Sequence, residues 1–135
     1  MNFTGKNILV IGASTGIGLA TARQLHASGA TLFTASRQLS AELAALGTSH
    51  LTYDATQPVG STFDGLPEVL HGLVYCPGSI KLRPFERVPV ADFRSDFELN
   101  VLGAVQALQA TIKRLKKAEG GHRWCCSARW PRPWA

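Results

Sequence analysis

Three glycines, Gly12, Gly16 and Gly18, bracket Ala13-Ser14-Thr15 and Ile17 in one seven-residue stretch. Glycine admits left-handed backbone and leaves no side chain between the main chain and an approaching ligand. Between a buried strand and an amphipathic helix, such a turn does the chemistry of a diphosphate cradle. Backbone N–H groups point at phosphate oxygens, and the positive end of the helix dipole faces their charge. Gly12 permits a tight turn at the strand end, Gly16 lets the backbone reach a pyrophosphate, and Gly18 lets the helix pack on the strand. Three glycines alone are a weak signal, because ordinary turns use them too. The flanking elements give the pattern its weight and make Gly12, Ser14, Thr15, Gly16, Ile17 and Gly18 candidate cofactor-binding residues.

A second cue lies about 20 residues on, where a dinucleotide site preferring the unphosphorylated ribose carries a carboxylate. This chain has Ala35-Ser36-Arg37-Gln38 there, with no acid. The Arg37 guanidinium can fork onto a ribose 2′-phosphate, and Ser36 can add a hydroxyl donor. The residues therefore favour NADP over NAD.

These side chains need elements to hold them. Asn7-Ile-Leu-Val-Ile11 is a short, β-branched-rich run suited to a strand buried on both faces. Ile17 to Ser28 carries helical spacing and ends at Gly29, a C-terminal glycine. Thr31–Ser36 reads as a second strand, Ala41–Leu46 as a short helix capped by Ser40 and closed by Gly47, and His50–Tyr53 as a third strand. Gln57–Pro67 reads as loop, and Gly72–Cys76 as a fourth strand stopped by Pro77-Gly78. Val90 to Lys117 has a long helical pattern, bent near Asn100 to Gly103. Alternating strands and helices predict an α/β fold, the first half of a doubly wound, Rossmann-like parallel sheet. The expected strand order is 3-2-1-4, with helices on both faces and the second half of the sheet missing.

The motif Gly12-Ala-Ser-Thr-Gly-Ile-Gly18 resembles the glycine motif of the short-chain dehydrogenases/reductases, and the resemblance runs from about Lys6 to Gly121. It implies hydride transfer between NADPH and a carbonyl or alcohol, a small-molecule substrate, and pairing of copies through the long helix. It also implies that Asp54, at the end of the third strand, accepts from the adenine amino group, although a lone Asp there also serves as a turn former. Gly78 carries over as backbone passing the cofactor ribose. Asn100 matches the asparagine that bends the long helix and holds a water in the proton relay, and it is the candidate catalytic residue. A purely structural hydrogen bond is the alternative for that amide. The pattern frays at Tyr75-Cys-Pro-Gly78, where the family has Asn-Asn-Ala-Gly: Tyr75 cannot copy the amide that ties the strands together. Cys76 reads as a buried apolar residue.

The rest of the family's chemistry needs a serine on the next strand and a Tyr-x-x-x-Lys helix. Neither Tyr53 nor Tyr75, the two tyrosines, has a lysine four positions on. Composition changes instead. Residues 1–112 hold seven Lys/Arg against eight Asp/Glu, whereas 113–135 hold seven against Glu119 alone. Residues 120–135 carry Trp124, Trp130, Trp134, Cys125 and Cys126 and show no strand pattern. The chain accordingly divides into a dinucleotide-binding half-domain, 1–119, and a basic tail, 120–135, with Ser127 unassigned. Read one base back, codons for His122 to Pro131 can spell Ala-Ser-Val-Val-Leu-Phe-Ser-Ser-Val-Ala, a buried strand ending in paired serines. The expectation is a frame shift near Glu119 to Gly121, a disordered tail, an open edge on the fourth strand, and a truncated, inactive chain. The competing reading is a binding or regulatory fragment whose basic, tryptophan-bearing tail contacts nucleic acid or a family partner. The Lys113–Lys117 run is a solvated helix end favoured by the dipole. No apolar run reaches the roughly 20 residues of a membrane span, and the N-terminus lacks a signal-peptide pattern. Three cysteines call for no disulfide framework, so the expected compartment is the cytoplasm.

Overall fold

The computed structural model describes residues 2–79, 81–119 and 123–126 of the 135-residue chain. In order, these form β1 (Asn7–Ile11), α1 (Gly16–Ala27), β2 (Thr31–Ser36), α2 (Ala41–Ala44), β3 (Ser49–Thr52), β4 (Gly72–Tyr75), α3 (Val90–Phe97), α4 (Gly103–Lys116) and β5 (Arg123–Cys126). A 3₁₀ turn, Phe85–Arg87, precedes α3, and a π turn, Glu98–Leu102, joins α3 to α4.

The strands pair in parallel in the order β3-β2-β1-β4-β5, so β1 sits at the centre. Side chains alternate across a strand, and β1 shows why Ile8 to Ile11 are all apolar. Ile8 and Val10 pack with Leu19 and Ala22 of α1 and Leu43 of α2. Leu9 and Ile11 face the other way, onto Phe63, Leu70, Ala107 and Leu115. Helices cover both faces, so these four positions are all buried, and the expected sheet order and two-sided cover are both present.

The local signals act as the sequence predicts. Gly29 takes φ +85° just past α1, and the Ala30 N–H closes onto the carbonyl of Leu25. The Ser40 hydroxyl caps α2 by accepting from Leu43 N at 3.2 Å. The expected bend at 100–103 takes the form of the π turn, in which Gly103 N donates to the carbonyl of Glu98, five residues back.

The expectation for the C-terminal stretch needs correcting. Residues 123–126 form a strand, parallel to β4 in the register Gly72↔Arg123 to Tyr75↔Cys126. β4 is therefore not an open edge. Backbone pairing explains this: the ladder is made by main-chain N–H and C=O groups, and the unpaired edge of an apolar strand accepts any extended segment whose side chains can be accommodated. Residues 120–122 and 127–135, including Ser127 and the rest of the expected tail, lie outside the described residues. Among the described residues no helix is long and apolar enough to cross a membrane.

Candidate functional site

Parallel strands deliver their C-terminal ends to one side of the sheet, where ligands of open α/β folds bind beside the strand-order reversal. The reversal falls at β1, flanked by β2 and β4. A cleft of about 870 Å³ opens there, lined by the turns after β1, β2, β3 and β4.

The glycine turn forms its floor, and its three glycines differ in their reasons. Gly12 has φ +78°, and a Cβ there would stand 2.8 Å from Pro77 N. A Cβ on Gly18 would collide with the carbonyl oxygen of Gly12, so its absence lets α1 dock on the strand end. Gly16 has φ +58° and open space on its Cβ side, where a ligand could approach the backbone. No acidic residue occupies the first turn of α1, and the N-cap residue Thr15 makes no side-chain capping bond. The helix N–H groups and dipole thus meet no competing anion from the helix's own first turn.

At the end of β2, Arg37 is exposed at the cleft and makes no ion pair among the described residues. Ser36 is buried, and its hydroxyl donates to the carbonyl of Gln38 at 2.7 Å. A hydroxyl has one hydrogen, so while this bond stands Ser36 holds the Arg37 turn and is not the donor expected from sequence. Asp54 forms a tight turn of its own: Oδ1 accepts from Thr56 N at 2.9 Å and from Thr56 Oγ1 at 2.8 Å. Those bonds hold its carboxyl below the ordinary 3.8 against the opposing effect of burial, with the Arg37 charge adding the smallest contribution. Oδ2 has no protein partner among the described residues. Asp54 is thus a turn former by geometry, with one oxygen left for a ligand.

Beyond β4, Cys76, Pro77 and Gly78 wall the cleft, joined by Leu99 from the π turn. Gly12, Ser14, Thr15, Gly16, Ile17, Gly18, Ser36, Arg37, Asp54 and Gly78 therefore share one cleft, whereas Asn100 does not line it. Its amide closes a two-way pair with the Ser79 backbone: Oδ1 accepts from Ser79 N at 3.0 Å and Nδ2 donates to Ser79 O at 2.9 Å. Asp96 accepts from the Ser79 hydroxyl at 2.7 Å and fastens the same loop. These bonds are the structural pairing that the sequence offered as the alternative for this amide. Sequence reasoning missed Gln38, Thr56 and Leu99. Thr56 had a signal, two positions after a turn-forming Asp. Leu99 had none, since it looks like any apolar helix residue. Among the described residues, no His/Cys/Asp/Glu group could hold a metal ion.

The short chain dehydrogenase family profile matches residues 6–122. The chain is 28% identical over 124 residues to the 2,3-dihydro-2,3-dihydroxybenzoate dehydrogenase of Escherichia coli K12, covering 90% of this chain and 50% of that enzyme. It thus spans about half the length of the curated relative it matches. Among solved structures it is similar to the Pseudomonas aeruginosa RhlG/NADP active-site complex, with 26% identity and a TM-score of 0.80 over 93% of this chain and 55% of the other. A short chain dehydrogenase described from Pseudomonas syringae superposes with a TM-score of 0.79 at 24% identity, over 90% of this chain and 56% of the other. With sheet order, glycine turn and cleft already in place, the family match over residues 6–122 settles the lineage: the chain belongs to the short-chain dehydrogenase family.

Proposed function

We propose that this chain forms the NADP-binding half of a carbonyl or alcohol oxidoreductase, and that it does not complete the hydride-transfer site by itself. The observation that carries the reading is Arg37, an exposed guanidinium without an ion pair among the described residues, on the β2 side of a cleft floored by a glycine turn. A carboxylate at the end of β2 would repel a 2′-phosphate, and the Ala35–Gln38 stretch has none. The nucleotide's pyrophosphate would lie on the N-terminus of α1, its adenine near Asp54, and its second ribose along Gly78. The likeness to the RhlG/NADP complex supports the same cofactor. The bound nicotinamide would supply or accept the hydride. This chain's residues bind and orient the nucleotide, but its 135 residues contain no Tyr-x-x-x-Lys pair to handle the substrate proton. Phe93, Phe97, Val101 and Val105 form an exposed apolar stripe along α3, the π turn and α4, which supports pairing of copies through that face.

Fluorescence titration of NADPH and NADH into the 135-residue chain tests the cofactor assignment. Arg37→Ala should weaken NADPH by about 10- to 100-fold, the effect of a lost charge-assisted fork, and leave NADH unchanged. Equal binding of both nucleotides by the wild type, or equal loss of both in the variant, sinks it.

A further inference from the structure

We infer that Tyr75 is a positioning residue that fixes the β4 wall of the cleft by clamping it to the π turn. This rests on the NADP reading above. Tyr75 ends β4, where the family pattern has an amide, and its ring is buried. Its hydroxyl donates to the carbonyl of Leu99, 24 residues on, at 2.5 Å. Four positions after Tyr75, the Ser79 backbone is held by the two bonds of Asn100, the residue next to Leu99. The segment between, Cys76 to Gly78, is therefore stapled at both ends to adjacent residues of a single π turn.

Two glycines show that this clamp is built into the packing. A Cβ on Gly103, where α4 begins, would collide with the Tyr75 hydroxyl and stand 2.6 Å from the carbonyl oxygen of Ala55. Only a glycine lets the helix come close enough for the phenol to reach the turn. On the other side, a Cβ on Gly12 would stand 2.8 Å from Pro77 N, so the stapled segment rests against the glycine turn itself. The phenol thus does by reach what a short amide at that position does locally, and it couples the wall of the cleft to α4.

Topology predicts which half of a nucleotide feels the clamp. β1 lies between β2 and β4. A ligand anchored at the glycine turn directs its 2′-phosphate toward Arg37 beyond β2, and its other half past Cys76–Gly78 beyond β4. Tyr75→Phe keeps the ring and removes the hydroxyl that makes the clamp. It should weaken NADPH about tenfold, the effect of an unmade buried hydrogen bond, and leave adenosine 2′,5′-bisphosphate within about twofold of wild type. Hydrogen exchange gives a readout independent of ligand: the Ser79 amide should exchange faster in the variant while the β1 amides keep their protection. The selective loss together with faster Ser79 exchange supports the assignment. Equal loss of both ligands, loss of neither, or unchanged exchange at Ser79 overturns it. Wild-type chain that binds neither ligand refutes the NADP reading, and the exchange result then decides the clamp alone.

Discussion

Alanine substitutions at the three glycines of the turn should separate two physical causes that sequence alone merges into one motif. Gly16→Ala meets open space and imposes only the left-handed conformation, which costs a residue with a Cβ about 1–2 kcal/mol. Gly18→Ala carries no such conformational cost, but its methyl meets the Gly12 carbonyl, with the carbonyl carbon 2.8 Å away. Both atoms are backbone, so no rotamer can yield and α1 must move off the strand end. The cost should approach the top of the overpacking range, about 3 kcal/mol. Gly12→Ala combines φ +78° with a 2.8 Å contact to Pro77 N, for a total of about 2–5 kcal/mol. Against a domain stability of about 5–15 kcal/mol, that is a large fraction. Urea unfolding followed by circular dichroism should rank the midpoints wild type, Gly16→Ala, Gly18→Ala, Gly12→Ala at an unchanged slope. Nucleotide affinity should rank differently, with Gly16→Ala suffering far more in binding than in stability because its methyl points into the cleft floor. The reasoning fails if Gly16→Ala destabilises as much as Gly12→Ala, or if Gly18→Ala stays within about 0.5 kcal/mol of wild type.

Other outcomes follow from particular side chains. The Tyr53 hydroxyl is buried without a partner among the described residues, while its ring packs on Phe63 at 5.1 Å. Tyr53→Phe should therefore be neutral or stabilising by about 1 kcal/mol, and a clear loss in thermal unfolding would reveal a hydrogen bond that this packing does not contain. His50 places Nδ1 3.1 Å from Thr34 Oγ1, and burial holds its pKa below the ordinary 6.5 against the opposing effect of the Ser36 backbone. The unfolded chain then binds the proton more tightly, so stability should fall as pH drops below 6.5. A His50→Asn variant should lose that slope in melting temperatures taken from pH 7 to 5. Sequencing of the coding DNA from Leu115 onward tests the frame-shift expectation: an open displaced frame that soon encodes Tyr-x-x-x-Lys supports it, and an immediate stop in that frame rejects it.

The C-terminal strand bears on that last test. β5 occupies Arg123–Cys126, paired in parallel with β4. With permissible codons the displaced reading can place Ser-Val-Val-Leu at those four positions, a run with two adjacent β-branched residues suited to a buried strand. Arg-Trp-Cys-Cys offers no such pattern, which is why the strand was not legible from the residues present.

The sheet order, the two-sided helical cover, the glycine turn and the absence of a carboxylate after β2 were all legible in the chain. Each rests on local signals: the apolar run Ile8–Ile11, helical spacing closed by Gly29, a cap at Ser40. Local signals suffice where backbone conformation and burial depend on near neighbours. Only the tertiary structure decided what the polar groups do. Asn100 holds the Ser79 backbone, Ser36 donates to Gln38, and Tyr75 crosses to Leu99, because each partner lies in an element that sequence distance hides or a turn that composition does not fix. The same holds for β5. Its side chains announce nothing, and a neighbouring strand with unpaired backbone groups determined its conformation.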